Sequence, residues 1–175
     1  GNDIKSFKLK KNDPNSLFSN TVLRITGNKK GKVYLLCTDG IAEFDLTTQR
    51  FKTLLQGNVD AIYYNEKLYI GKREEVFVYN ESTGNFDLYY HLAGKDITLS
   101  CLHLDDKKNL WMGTTGNGVY CLSENKTVSQ PITKGNITSI YEDSSKELWI
   151  GSWEEGLYHI TTDGNIKNLR HDPQN

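Results

Sequence analysis

The sequence predicts an all-β fold of four tandem, four-stranded antiparallel β-propeller blades that form part of a larger propeller. A degenerate repeat returns at spacings of 35, 42 and 38 residues, which bracket the length of one blade. Each copy consists of runs of about 4–7 residues bounded by Gly, Asn, Asp and Ser, which is the chemistry of strands and tight turns. No segment keeps a helical periodicity over about 10 residues or more.

The repeat is clearest in two copies of a Leu-Trp-x-Gly run, each followed by a Gly-x-Tyr run. These copies lie at 110–113 with 118–120 and at 148–151 with 156–158. A third copy, at 68–71, lacks the second glycine, and the weakest copy, at 33–37, has Leu36 in place of the first. The first glycine ends the second strand of its unit, where a missing side chain permits close backbone approach near the propeller axis.

Each unit is expected to supply its strands in one order. The first strand is an alternating run such as 137–141, and a polar turn such as 143–147 leads to the Leu-Trp-x-Gly strand. The Gly-x-Tyr run is the third strand, and a turn such as 81–85 precedes a fourth strand around Phe51, Phe86 or Ile166. Because Trp111 and Trp149 share one repeat position, packing between blades is their expected role.

The predicted boundaries treat residues 1–175 as one propeller segment. Residues 1–20 supply an outer strand of a preceding blade and an inter-blade loop, and the four blades follow at 21–58, 59–96, 97–135 and 136–175. Residues 7–15 resemble residues 166–174, so the chain starts and stops at the same phase of the repeat. Strand edges and blade faces left open favour association. We therefore expect either self-association or closure into a small ring in which residues 4–10 complete the last blade.

Composition excludes several classes of function. The 175 residues carry a net charge of −1, which gives no electrostatic basis for a nucleic-acid partner or for direct membrane contact. Cys37, Cys101 and Cys121 are widely spaced and are expected to pack rather than to bind metal. The four histidines show no metal-ligand spacing, and no glycine-rich phosphate loop occurs, so neither a metal nor a cofactor is predicted.

The repeat resembles the two-component regulator propeller repeat of periplasmic sensor regions in Bacteroides-type hybrid two-component system histidine kinases. The resemblance covers nearly the whole chain and is strongest in the third and fourth units. It is carried by residues 140–143, 148–152 and 156–158 and by the inter-blade run Asn12-Asp13-Pro14-Asn15-Ser16-Leu17-Phe18-Ser19-Asn20. It implies a non-catalytic segment of a periplasmic ligand-sensing domain, contributing to oligosaccharide sensing and signal transduction. It also implies an inner-membrane parent with kinase and DNA-binding modules, further blades of the same chain and a glycan ligand.

Candidate ligand-binding residues follow from blade topology. In an up-and-down blade, the loop between the second and third strands lies on the same face as the loop leading to the next blade. Trp153 is an isolated loop aromatic, and such a ring suits stacking on sugars. The predicted site residues are Asp39, Lys72, Arg73, Thr115, Asn117, Trp153 and Glu154. The loops between blades add Asn15, Ser16, Asn20, Gln56, Asn58, Lys95, Asp96, Lys134 and Asn136. These polar residues are equally compatible with ordinary solvated loops.

Catalysis is not predicted for this segment. Adjacent carboxylates at 105–106 and 154–155 do not face each other across a bond in the manner a glycosidase requires. Because Asp143 recurs in the same turn as Asp105, turn capping accounts for both. Two other classes remain open: a scaffold propeller that binds another protein, and a polysaccharide-active propeller enzyme.

Overall fold

The computed structural model describes residues 4–28, 30–93 and 96–170. These residues form fifteen β-strands and no α-helix, which confirms the all-β prediction. No described helix is long and apolar enough to cross a membrane. The strands are β1 (Val22–Gly27), β2 (Lys32–Cys37), β3 (Gly40–Asp45), β4 (Arg50–Gln56), β5 (Ala61–Asn65), β6 (Lys67–Lys72), β7 (Glu75–Asn80), β8 (Asn85–His91), β9 (Leu99–Leu104), β10 (Leu110–Thr114), β11 (Val119–Leu122), β12 (Ile137–Glu142), β13 (Leu148–Ser152), β14 (Gly156–Ile160) and β15 (Ile166–Leu169).

Four antiparallel sheets follow one another along the chain, and each is a simple meander. Their strand orders are β1-β2-β3-β4, β5-β6-β7-β8, β9-β10-β11 and β12-β13-β14-β15. The first strand of each sheet contacts the first strand of the next, since β1 packs on β5, β5 on β9 and β9 on β12. The first strands are therefore the innermost, and the sheets are arranged as successive propeller blades around them.

The third blade departs from the predicted four strands. After β11 the chain makes two isolated bridges, between Leu122 and Val128 and between Asn117 and Gly135, instead of a fourth strand. The Ser129 hydroxyl accepts the N–H of Cys121 at 2.9 Å, a position that a backbone carbonyl would hold in a regular ladder. Pro131 has no N–H to donate. A side chain and a proline thus interrupt the outer strand of this blade.

The core lies between blades. One buried cluster joins the first and second blades, a second joins the second and third, and a third joins the third and fourth. Tyr34, Tyr69 and Trp111 occupy the same position of the second strand, and all three are buried in these clusters. The aromatic repeat therefore packs blade against blade, as predicted for Trp111. Trp149 is only partly buried and stacks on His159 with ring centroids 4.0 Å apart.

The glycine that ends the second strand has the predicted steric cause. A Cβ at Gly113 would lie 2.4 Å from the Cys101 sulfur of the same blade and 2.7 Å from Ile137 Cγ2 of the next. A Cβ at Gly71 would lie 3.1 Å from Leu99 Cβ of the following blade. Each glycine therefore lets neighbouring inner strands approach closely.

The segment at 4–10 packs on the first blade and not on the fourth. Phe7 contacts Phe44 and Phe51, with ring centroids 4.8 and 5.7 Å apart. The fourth blade already has its own outer strand, β15. The alternative in which residues 4–10 close a small ring is therefore wrong for this structure. Residues 171–174, which resemble part of the N-terminal run, lie outside the described residues.

Candidate functional site

The loops between second and third strands lie at equivalent positions of their blades, and they contain most of the predicted site residues. Asp39 lies between β2 and β3, Arg73 between β6 and β7, with Lys72 ending β6, and Trp153 with Glu154 between β13 and β14. Thr115 and Asn117 lie between β10 and β11. Lys72 is partly buried, and the other six residues are exposed.

A repeated backbone hydrogen bond fixes these loops. The loop N–H of Thr38, Thr115 or Trp153 donates to the carbonyl of Thr21, Thr98 or Asn136, at 3.3, 2.8 and 2.9 Å. Each acceptor lies just before the first strand of its own blade. In the second blade the carboxylate of Asp60 accepts the N–H of Arg73 at 2.6 Å instead. The predicted proximity of these loops to the inter-blade segments is therefore observed; Lys95 lies outside the described residues.

The second blade lacks the second glycine of the repeat, and this explains why its loop differs from the others. A Cβ at Gly40 or Gly118 would lie 2.0 Å from a carbonyl oxygen of the outer segment, so only glycine fits there. The second blade has Glu75 at this place, and Arg73 takes the left-handed conformation instead, with φ of 51°. The missing glycine is thus offset by a rearranged turn.

The side chains of the predicted site do not converge. Trp153 is 78% exposed. Within the described residues, Asp39 bonds the neighbouring Thr38 hydroxyl and Asn117 bonds the backbone of Thr115, but no hydrogen bond joins candidate side chains from different blades. Lys72 lines a small cavity with Leu54, Ile70 and Phe77, apart from the other six. These residues form a polar, open face rather than a formed pocket.

Carboxylates considered for catalysis already have partners. Asp105 is buried and accepts hydrogen bonds from Asn109 and Trp111. Asp143 accepts hydrogen bonds from the indole of Trp149 and from the N–H groups of Glu147 and Ser145, and these bonds hold the pKa of Asp143 below its ordinary value. Glu155 pairs with Arg170. No group of three His, Cys, Asp or Glu side chains in the described parts of the chain could hold a metal.

A better-formed concavity lies between the first two blades, beside the β1–β2 and β5–β6 turns and therefore on the opposite face. It measures about 510 Å³, and its walls include Lys32, Tyr64, Tyr79, Asn80 and Asp87. The sequence reasoning did not identify these residues. No spacing within one repeat points to them, because the walls of the concavity come from two blades.

The family comparison matches one stretch of the chain. Residues 131–154 match the two component regulator propeller. The match runs from the inter-blade segment through β12 and β13 into the loop that contains Trp153 and Glu154. It includes the Asp143–Trp149 pair and Gly151. The resemblance inferred from the repeat is therefore confirmed, and no curated protein matches the chain.

Solved structures share the fold over nearly the whole chain. One is the extracellular domain of a hybrid two component system from B. thetaiotaomicron, with 22% identity and a TM-score of 0.78 over 96% of this chain and 24% of that one. Another, the extracellular domain of a one component system from the same organism, has 18% identity and a TM-score of 0.74 over 93% and 24%. Virginiamycin B lyase from Staphylococcus aureus has 15% identity and a TM-score of 0.69 over 85% and 55%. The chain thus spans about a quarter of the two extracellular domains.

Proposed function

We propose that the chain is a non-catalytic segment of an extracytoplasmic sensing domain in a hybrid two-component system, and that it contributes to oligosaccharide sensing and signal transduction. The parent would be a sensor histidine kinase anchored in the inner membrane, with this segment in the periplasm. Further blades of the same parent chain and a glycan ligand are the partners of this proposal.

The observation that carries the proposal is the match of residues 131–154 to a propeller of two component regulators. The solved extracellular domains support it, because they share the fold across 93–96% of this chain. The polar loop face also supports it, since exposed amide, carboxylate, guanidinium and indole groups are those that bind a polyhydroxylated ligand.

The engaged carboxylates favour binding over catalysis. A glycosidase needs one carboxylic acid and one carboxylate facing each other about 5–9.5 Å apart. Asp105 and Asp143 instead hold indole groups, and Glu155 is paired with Arg170. Of the adjacent carboxylates at 105–106 and 154–155, Asp106 lies 3.7 Å from the Lys146 ammonium, which leaves Glu154, an exposed residue of the β13–β14 loop.

Binding to an immobilised glycan array, followed by calorimetry on each positive ligand, tests the proposal. The 175-residue chain and the parent's whole extracytoplasmic region would be measured side by side. Saturable binding of an oligosaccharide without turnover is the expected result. No binding by either protein, together with capture of a defined protein partner, would favour the scaffold. Glycan cleavage that is lost in Glu154→Gln would favour the enzyme.

A further inference from the structure

We propose that the groove between the first two blades, on the face opposite the candidate loops, is a binding site for a neutral oligosaccharide. The groove comprises the surfaces around Tyr64 between the β1–β2 turn, the β5–β6 turn and the β7–β8 hairpin. This inference rests on the proposed function and assigns its ligand to a site other than the Trp153 loop face.

Two adjacent cavities make up the groove. Two cavities of about 510 and 700 Å³ lie next to each other and share Asn28, Lys30, Tyr64 and Glu66 as walls. Each has the size of an ordinary small-molecule site, which is about 300–1,000 Å³. Because the same four residues line both cavities, the two lie side by side, and an extended ligand of several sugar rings can reach both where a compact ligand would fill only one.

Aromatic rings form the floor of the groove. Tyr64 of the second blade stacks on Tyr34 of the first, with centroids 5.4 Å apart and ring planes 18° apart. Tyr34 is fully buried and supports one face of Tyr64, while Tyr64 lines both cavities. Tyr79 adds a second ring to the wall. An aromatic ring fixed by packing offers an apolar surface to the C–H groups of a sugar at little cost in conformational entropy.

Polar pairs along the walls are already oriented. Lys32 pairs with the buried Glu43 at 3.1 Å, and this contact raises the pKa of Lys32. Asn80 donates to Asp87 at 2.9 Å, and Asp87 is exposed to the groove. Asn28 uses its carbonyl oxygen to accept the N–H groups of Lys30 and Lys32, so its amide N–H₂ remains as a donor. Donors and acceptors fixed side by side suit the paired hydroxyls of a sugar.

The charge of the groove selects for a neutral ligand. The cavity around Tyr79 is lined by Lys30, Lys32 and Lys67 and by Glu66, Glu81 and Asp87. Because three cations and three carboxylates balance, the lining has no net charge that would attract either a sulfated glycan or a polycation. Neutral glucan, xylan and mannan oligosaccharides are therefore the expected class.

Amide chemical-shift mapping on the uniformly ¹⁵N-labelled 175-residue chain tests the site. The probes are cellohexaose, xylohexaose, maltohexaose, mannohexaose and, as a charged comparison, hexagalacturonate. A neutral hexasaccharide is expected to shift the amides of Tyr64, Asn80 and Asp87 and to leave those of Asp39, Thr115 and Trp153 in place. Asp87→Ala and Tyr64→Leu are expected to weaken binding about tenfold or more. Tyr141→Leu and Asp163→Ala, at exposed positions of the fourth blade outside both the groove and the candidate loops, are the matched controls and are expected to retain affinity within about twofold.

Each other outcome overturns a defined part of the proposal. Shifts confined to the Trp153 loop face would overturn the groove and leave the proposed function standing. Binding of hexagalacturonate alone would overturn the neutral class. No shift with any probe would overturn the groove, and the proposed function would fall only if the glycan array were also blank. If Tyr64→Leu does not fold, the affinity of Asp87→Ala and the wild-type shift map test the site instead. The Asp87 side chain is exposed, so its removal should not prevent folding.

Discussion

The indole of Trp111 donates a hydrogen bond to the carboxylate of Asp105, six residues earlier, at 2.9 Å. Trp149 repeats the bond to Asp143 at 2.8 Å. Each aspartate also caps the turn between the first two strands, so one carboxylate fixes both the turn and the indole, which in the case of Trp111 packs on the next blade. Asn28, six residues before Tyr34, keeps the turn-capping half of this arrangement in the first blade.

The two equivalent tryptophans are expected to differ in their contribution to stability. Trp111→Ala should lower the free energy of unfolding by about 3–5 kcal/mol, because it opens a cavity between the third and fourth blades. Trp149→Ala should cost about 1–2 kcal/mol, since Trp149 is only partly buried and loses less area. Urea unfolding measures both, with Trp153→Ala as a control that should change stability by less than about 0.5 kcal/mol. Equal losses at 111 and 149 would contradict the placement of the cores.

Alanine substitution at the equivalent residues Gly113 and Gly151 compares a rigid close contact with a contact that side-chain rotation can relieve. Gly113→Ala should destabilise by about 1–3 kcal/mol, because its Cβ would meet Cys101 and Ile137 at 2.4 and 2.7 Å. Gly151→Ala should cost less, since its Cβ meets only hydroxyl oxygens of Ser139 and Thr138, at 2.7 and 3.1 Å, and these side chains can rotate. Chemical denaturation of the two variants measures the difference. A larger loss of stability in Gly151→Ala than in Gly113→Ala would show that this steric explanation is wrong.

Acid should destabilise the fold through His103. Its side chain is 12% exposed, its Nε2 lies 3.8 Å from Glu142 Oε2, and burial lowers its pKa below the ordinary 6.5. The unfolded chain therefore takes up the proton first, so stability falls as pH drops below about 6.5 towards the folded-state pKa. Burial raises the pKa of Glu142, an effect of opposite sign that acts above its ordinary value of 4.5.

His103→Gln isolates the histidine contribution. Urea midpoints measured at about pH 7.5 and 5.5 should lie closer together in this variant than in the wild type. His91→Gln is the control, because the His91 side chain is 53% exposed. If the two variants keep the same pH dependence as the wild type, His103 does not sense acid in this range.

The irregular edge of the third blade depends on one hydroxyl. Ser129→Ala removes the acceptor of the Cys121 N–H and should cost about 1–2 kcal/mol. Hydrogen exchange at Cys121 should become faster, while exchange in β9 should stay slow. Ser82→Ala, in an exposed turn, is the matched control and should leave exchange unchanged. Unchanged exchange at Cys121 in the Ser129 variant would mean that another acceptor replaces the hydroxyl.

Self-association is expected from the apolar side chains at the two ends of the array. Ile25 of the first blade and Tyr141 of the fourth are 67% and 63% exposed, and Leu157 and Leu169 lie on the fourth blade as well. Exposed apolar surface of this kind favours contact with another chain. Light scattering should show a mass that rises with concentration, and Tyr141→Glu should reduce it. A constant monomer mass at all concentrations would contradict this expectation.

The repeat predicted the fold because each of its landmark residues has a local physical role. Gly71 and Gly113 mark close approaches between inner strands, and Trp111 marks a core between blades, so spacing alone located them. The outer strand of the third blade was not predictable in the same way. Whether this strand forms depends on Ser129 and Pro131, which interrupt the hydrogen-bonded ladder of the blade but leave the sequence repeat unaltered.

The candidate site was predictable only in its topology. The order of strands places Asp39, Arg73, Thr115 and Trp153 in equivalent loops, and the structure agrees. The groove was missed because its parts come from two blades, with Tyr34 and Lys32 in one and Tyr64 and Asp87 in the other. No spacing within a single repeat reports a contact of that kind.

The loops of the candidate face are held by backbone N–H donors. Their conformation therefore does not depend on which side chains they carry. The N–H groups of Thr38, Thr115 and Trp153 hold the loops, whereas the side chains of Thr115 and Trp153 extend from them exposed. Substitution at these positions therefore leaves the scaffold intact. The exposed surface of these loops can therefore change one loop at a time, with little cost to the stability of the fold.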